Sequence, residues 1–140
     1  MHCVRDIMKK QAVTIGAHDR LSTVDDIMTL GGVRHMPVVS AGALVGVVSE
    51  RDLLRASISN LERAGVDHRR AFLNAVEIRN VMSSPPVVID QKASVSDAAR
   101  LMAEHKIGCL PAVDERGLLV GLVTETDLLL YFAEHAIVPL

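Results

Sequence analysis

The sequence predicts an α+β fold built from two copies of one β-α-β-β-α unit. The clearest observation is an internal repeat, in which segment 46–54 (GVVSERDLL) is matched by segment 121–129 (GLVTETDLL). The second observation is composition, since 49% hydrophobic and 23% charged residues are typical of a globular chain. The third is length, because 140 residues suffice for two small units packed closely together.

The first copy carries strand and helix signals in a fixed order. Leu21, Val24 and Met28 follow helical spacing, with Ser22 as the predicted N-cap. The predicted elements are a helical turn at 4–8, a strand at 12–15 closed by Gly16, a helix from Leu21 ended by Gly31 and Gly32, a strand at 36–39, a hairpin turn at 40–43, a strand at 44–48, and a helix capped by Ser49 that runs through Leu54 toward Leu61.

The second copy repeats this order with nearly constant spacing. Pro37 and Pro111 are 74 positions apart, whereas Gly46 and Gly121 are 75 apart. The extra residue falls in the predicted hairpin 114–117, and a turn is where a repeat tolerates an insertion. A three-stranded sheet of this size cannot bury both faces alone, so we expect the two copies to pack on each other.

The repeat predicts domain boundaries along the chain. The first repeat is assigned to residues 1–62, a connecting helix to 63–77, and the second repeat to 78–140. The charged run 67–70 within the connection is interpreted as a solvated helix face. The apolar end of the chain, 137–140, is predicted to pack on a partner.

The repeated stretch places a hydroxyl and an aspartate where a helix begins. Ser49 and Asp52 have this spacing in the first copy, and Thr124 and Asp127 have it in the second. One interpretation is a helix cap, in which the hydroxyl accepts hydrogen bonds from free backbone N–H groups. The other is a nucleotide site, since helix N-termini attract phosphate and a carboxylate accepts from sugar hydroxyls.

Composition excludes several classes of function. The formal net charge is −2 and only 2% of residues are aromatic, so neither a basic nucleic-acid surface nor a base-stacking platform is indicated. No apolar run approaches the roughly 18 residues of a membrane span. The N-terminus lacks an apolar signal core, and a cytoplasmic protein is expected. Cys3 and Cys109 have no metal-binding spacing and are expected to be buried or free thiols.

Together these motifs resemble the CBS domain, named for cystathionine β-synthase, present as a tandem pair. The resemblance rests on Arg5-Asp6-Ile7-Met8, on the segments 36–39 and 110–113 that contain Pro37 and Pro111, and on the two Gly-x-x-Ser/Thr-x-x-Asp stretches. The resemblance covers nearly the whole chain. The sequence is most similar in layout to small stand-alone bacterial members of this family. The resemblance implies two repeats packed sheet to sheet around a pseudo-two-fold axis, clefts for AMP, ADP, ATP, NAD or S-adenosylmethionine, and a homodimer.

The resemblance also implies roles for particular residues. Aspartates at the positions of Asp52 and Asp127 bind ribose, and the hydroxyls of Ser49 and Thr124 approach phosphate. A basic residue just before the proline contacts phosphate, and the two copies differ there. The favoured cleft is expected to contain Thr14, Val33, Arg34, His35, Thr124 and Asp127. The second cleft is expected to contain Ser49, Asp52, Val88, Ile107, Gly108 and Cys109, with Lys106 and Arg51 as alternative cations.

No catalytic motif is recognisable in the sequence. There is no Walker loop, nucleophile elbow or His-Glu-x-x-His pattern, and Asp52 and Asp127 lie in separate repeats, so a paired acid/base role has no support. The favoured hypothesis is a non-catalytic regulatory module that senses adenine nucleotides and signals to a separate, unidentified effector protein. The alternative is a structural or interaction module with empty or degenerate clefts.

Overall fold

The computed structural model describes residues 2–64 and 68–136, with the backbone alone for residues 59–64. The described helices are α1 Val4–Ile7, α2 Leu21–Gly31, α3 Glu50–Ala64, α4 Arg69–Ala75, α5 Val95–His105 and α6 Glu125–His135, with a 3₁₀ turn at Ile78–Asn80. The strands are β1 Ile15–Gly16, β2 His35–Ser40, β3 Ala43–Ser49, β4 Ile89–Asp90, β5 Cys109–Val113 and β6 Leu119–Thr124. The fold is α+β, as the repeat predicts.

The strands form two three-stranded sheets of identical topology. In the order β1-β2-β3, the first pair is parallel and the second antiparallel, and β4-β5-β6 repeats this arrangement. Even the irregularities correspond, because the strand register shifts between Val38 and Val39 in one sheet and between Ala112 and Val113 in the other. The repeat inferred from sequence is therefore confirmed at the level of strand register.

The chain divides into two compact units that do not follow the order of the repeats. One, the first-sheet unit, is Val13–Pro86; the other, the second-sheet unit, comprises the described residues of Met1–Ala12 and Val87–Leu140. The opening turn of the first copy thus belongs with the sheet of the second copy, and the opening turn of the second copy with the first sheet. The repeat boundaries at 62/63 and 77/78 stay a prediction.

A glycine in each antiparallel pair lets the opening turn of the other copy approach the sheet. In the second-sheet unit, a Cβ built on Gly121 would lie 2.6 Å from the Met8 sulfur and 2.8 Å from the Lys9 carbonyl oxygen. Backbone hydrogen bonds of 2.9 Å join Lys9 and Leu122 in both directions. The absence of a side chain at Gly121 is what permits this contact, since real Cβ atoms do not come so close.

The first-sheet unit contains the same contact. A Cβ on Gly46 would lie 2.7 Å from both the Met82 sulfur and the Ser83 carbonyl oxygen, and Ser83 exchanges backbone hydrogen bonds with Val47. The glycine of the repeated stretch and the methionine of the opening turn, which the sequence showed as separate motifs, therefore form one packing unit.

Equivalent positions of the two copies supply the buried core. Helix α2 buries Leu21, Val24 and Met28, and helix α5 buries Val95, Ala98 and Met102 at the corresponding places. The central strands β2 and β5 contribute fully buried residues at matching positions: Met36, Pro37 and Val38 in one, Leu110, Pro111 and Ala112 in the other.

Two predictions about local structure are wrong. The strand predicted at 12–15 is reduced to β1, because only Ile15 and Gly16 pair with β2. Ser22 is not the N-cap of α2, which begins at Leu21 after Arg20. The amide of Leu21 instead donates to the carbonyl oxygen of Val76 at 3.0 Å, so a backbone group from elsewhere satisfies the helix end.

The connection between the copies contains the end of α3 and a second helix, α4. Helix α3 extends to Ala64, and α4 contacts α2 and α3 within the first-sheet unit. In the charged run, Arg69 and Arg70 are ion-paired with Asp25 and Asp26 of α2 at 3.5 and 3.3 Å. The predicted contributions of Asp67 and of the apolar end 137–140 lie outside the described residues.

Candidate functional site

Ser49 and Asp52 form a reciprocal cap at the start of α3. The amide of Asp52 donates to the Ser49 hydroxyl oxygen at 3.1 Å, and the amide of Ser49 donates to Asp52 Oδ2 at 2.9 Å. This is the arrangement of a capping box, in which two otherwise unpaired helix-end donors are satisfied. The cap interpretation of the sequence is therefore correct in the first copy.

Thr124 and Asp127 form the same box at the start of α6. Asp127 Oδ2 accepts from the Thr124 amide at 2.9 Å and from its hydroxyl at 3.1 Å, while the Asp127 amide lies 3.4 Å from Thr124 Oγ1. Both residues are largely shielded from solvent. A carboxylate has about four lone-pair positions, so capping does not exhaust the acceptor capacity of Asp127 or Asp52.

The two caps differ in the cation beside the carboxylate. Lys9 Nζ lies 3.6 Å from Asp127 Oδ1. The position equivalent to Lys9 in the first-sheet unit is Ser83, because both residues pair with the strand that leads into the cap. Sequence reasoning missed Lys9, since it precedes Asp127 by most of the chain and only the folded opening turn brings the two together.

The residues before Pro37 and Pro111 pair with the caps of their own copy. His35 pairs with Ser49 across the β2–β3 ladder, and the Glu50 amide donates to the Arg34 carbonyl oxygen at 2.8 Å. In the other copy Cys109 pairs with Thr124, and the Glu125 amide donates to the Gly108 carbonyl oxygen at 3.0 Å.

The remaining predicted site residues differ in exposure. Thr14 and Val88 are exposed just before β1 and β4, whereas Val33 and Ile107 are half-buried just before β2 and β5. The structure thus brings Arg34, His35, Ser49 and Asp52 together in one unit, and Gly108, Cys109, Thr124 and Asp127 together in the other. The favoured and second sets each draw on both units, and their assembly stays a prediction.

An open groove of about 350 Å³ in the second-sheet unit runs along one side of α6. Its rings are in mutual contact, since Tyr131 and His135 stack at 4.2 Å between centroids and His2 meets both rings edge-on. Asp127 also lines the groove. The sequence indicated nothing here, because His2 reaches α6 only through the fold. The groove is lined by His2, Asp6, Ile7, Asp127, Leu130, Tyr131, Glu134 and His135.

Asp6 of this groove has a structural task. Its carboxylate accepts from the Cys3 amide at 2.9 Å and thereby caps α1. The hydrogen bonds from the Cys3 backbone and side chain lower the pKa of Asp6 below its usual value. Asp6 is therefore charged at neutral pH and contributes to the acidic side of the groove.

Neither a metal-binding cluster nor a membrane-spanning helix occurs among the described residues. Within residues 2–64 and 68–136, no three His, Cys, Asp or Glu side chains converge as a metal ion requires. In the same part of the chain, every helix is too short or too polar to cross a bilayer.

A known family model matches each of the two copies of the fold. The family model of the CBS domain matches residues 4–59 and again 78–134. The chain belongs to the CBS domain family. The two matches begin at the two opening turns and end within α3 and α6, so each includes one cap and one complete three-stranded sheet.

Three relatives show the range of proteins in which such a pair occurs. A CBS domain-containing protein of Dictyostelium discoideum is 32% identical over 90% of this chain and 88% of its own length. The structure of CBSX2 from Arabidopsis thaliana in complex with AMP is 25% identical, with a TM-score of 0.77 and coverage of 96% of this chain and 98% of that one. Inosine-5′-monophosphate dehydrogenase of Korarchaeum cryptofilum is 27% identical over 84% of this chain but only 22% of the enzyme.

Proposed function

We propose that this chain is a regulatory module that binds an adenine nucleotide and catalyses no reaction itself. The observation that carries the proposal is the pair of aspartate-bearing caps, Ser49 with Asp52 and Thr124 with Asp127, in a CBS pair. A relative that matches over nearly its full length, CBSX2, was solved with AMP. The ligand classes in view are AMP, ADP, ATP, NAD and S-adenosylmethionine.

The two carboxylates are proposed to accept hydrogen bonds from ribose hydroxyls. Each carboxylate is held in place by its cap, so binding does not incur the entropic cost of ordering that side chain. The Ser49 and Thr124 hydroxyls, at the start of α3 and α6, are proposed to face phosphate, which helix N-termini attract.

Of the two sets of residues, we propose that the set with Arg34 and His35 binds first. An arginine contact to phosphate is charge-assisted and can be bidentate, which makes it roughly twice as strong as a neutral hydrogen bond. Gly108 and Cys109, at the equivalent positions of the second set, offer no such side chain. Thr14, Val33, Thr124 and Asp127 complete the favoured set.

The absence of catalysis is part of the proposal. The inosine-5′-monophosphate dehydrogenase relative shows that a similar segment can be a small part of an enzyme. A module of this kind acts by differential binding, because a ligand that prefers one state of the protein shifts the population toward that state. We propose a homodimer as the functional form and a separate effector protein as the receiver of the signal.

A separate observation supports a second candidate function. The cap already uses the hydroxyl and carboxylate groups of both repeated stretches, which is what a purely structural role requires. In this alternative the chain is an interaction module that binds no nucleotide.

Thermal unfolding with a panel of AMP, ADP, ATP, NAD and S-adenosylmethionine separates the two. A ligand that binds the folded state alone stabilises it by about 2.7 kcal/mol at a hundredfold excess over its dissociation constant. The proposal predicts a concentration-dependent rise in Tm for at least one compound, and none for inosine at equal concentration. If no compound of the panel raises Tm, the interaction-module alternative holds.

A further inference from the structure

Lys9 lies beside a proposed ribose-binding carboxylate of its own compact unit. Its ammonium nitrogen is 3.6 Å from Asp127 Oδ1. The Lys9 side chain is 58% exposed, whereas that of Asp127 is 11% exposed. The lysine ammonium group is therefore in contact with both the shielded carboxylate and solvent.

The position of Lys9 is set by the backbone and not by the ion pair. Its amide and carbonyl both bond to Leu122, and Gly121 leaves the space that this contact needs. Leu122 precedes the capping Thr124 by two residues on β6, so the root of the lysine side chain is fixed beside the cap. Only the four-carbon stem is free to move the ammonium group.

The other unit provides an internal comparison. Ser83 makes the same two backbone hydrogen bonds to Val47, and Gly46 leaves the same space. The scaffold is therefore the same at both caps, but a short neutral hydroxyl takes the place of the ammonium group near Asp52. This difference in charge lies within single units and is independent of Arg34.

We propose that Lys9 is a phosphate-binding residue of the Asp127 site and makes that site selective for phosphorylated nucleosides. The inference rests on the proposed function. An ammonium group has three donors, and the contact with Asp127 uses one of them. A ribose held by Asp127 carries its 5′-phosphate on the same sugar, within reach of a flexible lysine stem.

A purely structural ion pair leads to different expectations. Exposed pairs contribute little to stability because solvent screens them. If Lys9 only positioned Asp127, its loss would weaken binding of adenosine and AMP alike, since both carry the ribose. If Lys9 binds phosphate, its loss weakens AMP alone.

Calorimetric titration of AMP and adenosine into the full chain tests this distinction. Lys9→Met keeps the stem and removes the charge, and Lys10→Met makes the same change at the exposed neighbouring position. We expect Lys9→Met to weaken AMP binding about tenfold, the usual effect of one lost hydrogen bond to a charged group, while adenosine changes by less than about twofold. Lys10→Met should match the wild type for both ligands.

The outcomes separate the two proposals. Suppose that the wild type binds AMP. If Lys9→Met binds AMP equally well, or if it loses as much affinity for adenosine as for AMP, Lys9 does not bind phosphate. The inference is then overturned while the proposed function stands. A wild type that binds neither AMP nor adenosine overturns the role of Lys9, and one that also binds no other compound of the thermal-unfolding panel overturns the proposed function as well.

A transplant into the other unit gives a second, independent test. In an Asp127→Asn background, Ser83→Lys places an ammonium group at the position equivalent to Lys9, beside Asp52. We expect this variant to bind AMP several-fold more tightly than its Asp127→Asn parent, with adenosine unchanged, because one charge-assisted contact is added. An unchanged affinity for AMP contradicts the proposal that a cation at this place recognises phosphate.

Discussion

At the scale of single residues, the two repeated hydroxyls have a structural role that can be measured apart from any ligand. Ser49→Ala and Thr124→Ala each remove the acceptor for a helix-end amide. We expect each change to lower the free energy of unfolding by about 1 kcal/mol, the usual cost of losing such a cap. Urea unfolding monitored by circular dichroism measures this cost.

A serine outside the caps serves as the control. Ser96 is exposed within α5, whose cap is Ser94, and Ser96→Ala should leave stability within about 0.5 kcal/mol of the wild type. Equal effects of Ser49→Ala and Ser96→Ala would mean that the α3 cap contributes nothing.

The two aspartates are predicted to be unequal in binding. Asn keeps a carbonyl oxygen that can preserve the cap, so Asp→Asn tests the charge more cleanly than Asp→Ala. Asp127→Asn should weaken AMP binding more than Asp52→Asn, because the Asp127 site has Lys9 beside it and is assigned Arg34 in the favoured set. Calorimetry on the two variants decides the order, and a larger loss in Asp52→Asn contradicts the assignment of the favoured set.

At the scale of elements, the glycines that admit the opening turns are predicted to be essential for stability. In Gly121→Ala the added methyl group would clash with the Lys9 carbonyl oxygen and the Met8 sulfur. In Gly46→Ala it would clash with the Ser83 carbonyl oxygen and the Met82 sulfur. Overpacking of this kind costs roughly 1–3 kcal/mol. Thermal unfolding should show a lower Tm for both variants.

The control for these variants uses a glycine at which a Cβ would make only an ordinary van der Waals contact. Gly31, at the end of α2, would bring a Cβ no closer than 3.5 Å to Val33, and it has no positive φ. Gly31→Ala should therefore be neutral or slightly stabilising, since alanine favours helix. If Gly121→Ala is as harmless as Gly31→Ala, the opening turn does not pack on β6 as described.

Local elements were predictable from sequence where the signal was itself local. The helix spacing of α2 and α5 and the caps of α3 and α6 depend on residues a few positions apart. The hairpin turns were predictable as well, because Gly42 and Gly117 supply the positive φ that these turns require.

Features that depend on distant contacts were not predictable. The extent of β1 is decided by pairing with β2, and the start of α2 by the Val76 carbonyl. Likewise, the pairing of Lys9 with Asp127 depends on an opening turn that packs against the sheet of the other copy. The sequence indicated one cation for the Asp127 site, Arg34, and the structure adds Lys9.

At the scale of the whole molecule, the exposed apolar face of α6 supports the proposal of a homodimer. Leu129 and Phe132 are each 68% exposed. Exposed apolar surface on a helix is what a two-fold partner can cover. The double change Leu129→Lys with Phe132→Lys should convert a dimer into a monomer of 15.1 kDa in light scattering.

Leu118 provides the matched control for the charge change. It is 53% exposed on the β5–β6 hairpin, and Leu118→Lys should leave the mass at about twice that of the chain. A wild type that already scatters as a monomer at micromolar concentration contradicts the dimer.

The most direct test of the central claim is calorimetric titration of AMP into the wild type and into the double variant Asp52→Asn, Asp127→Asn. We predict saturable binding to the wild type and its loss in the double variant, because the two ribose acceptors are removed while both caps keep an acceptor oxygen. Circular dichroism on the same samples establishes that both proteins are folded. Absence of binding to the wild type, or equal binding to the folded double variant, would contradict the account that this CBS pair binds adenine nucleotides through its two capping aspartates.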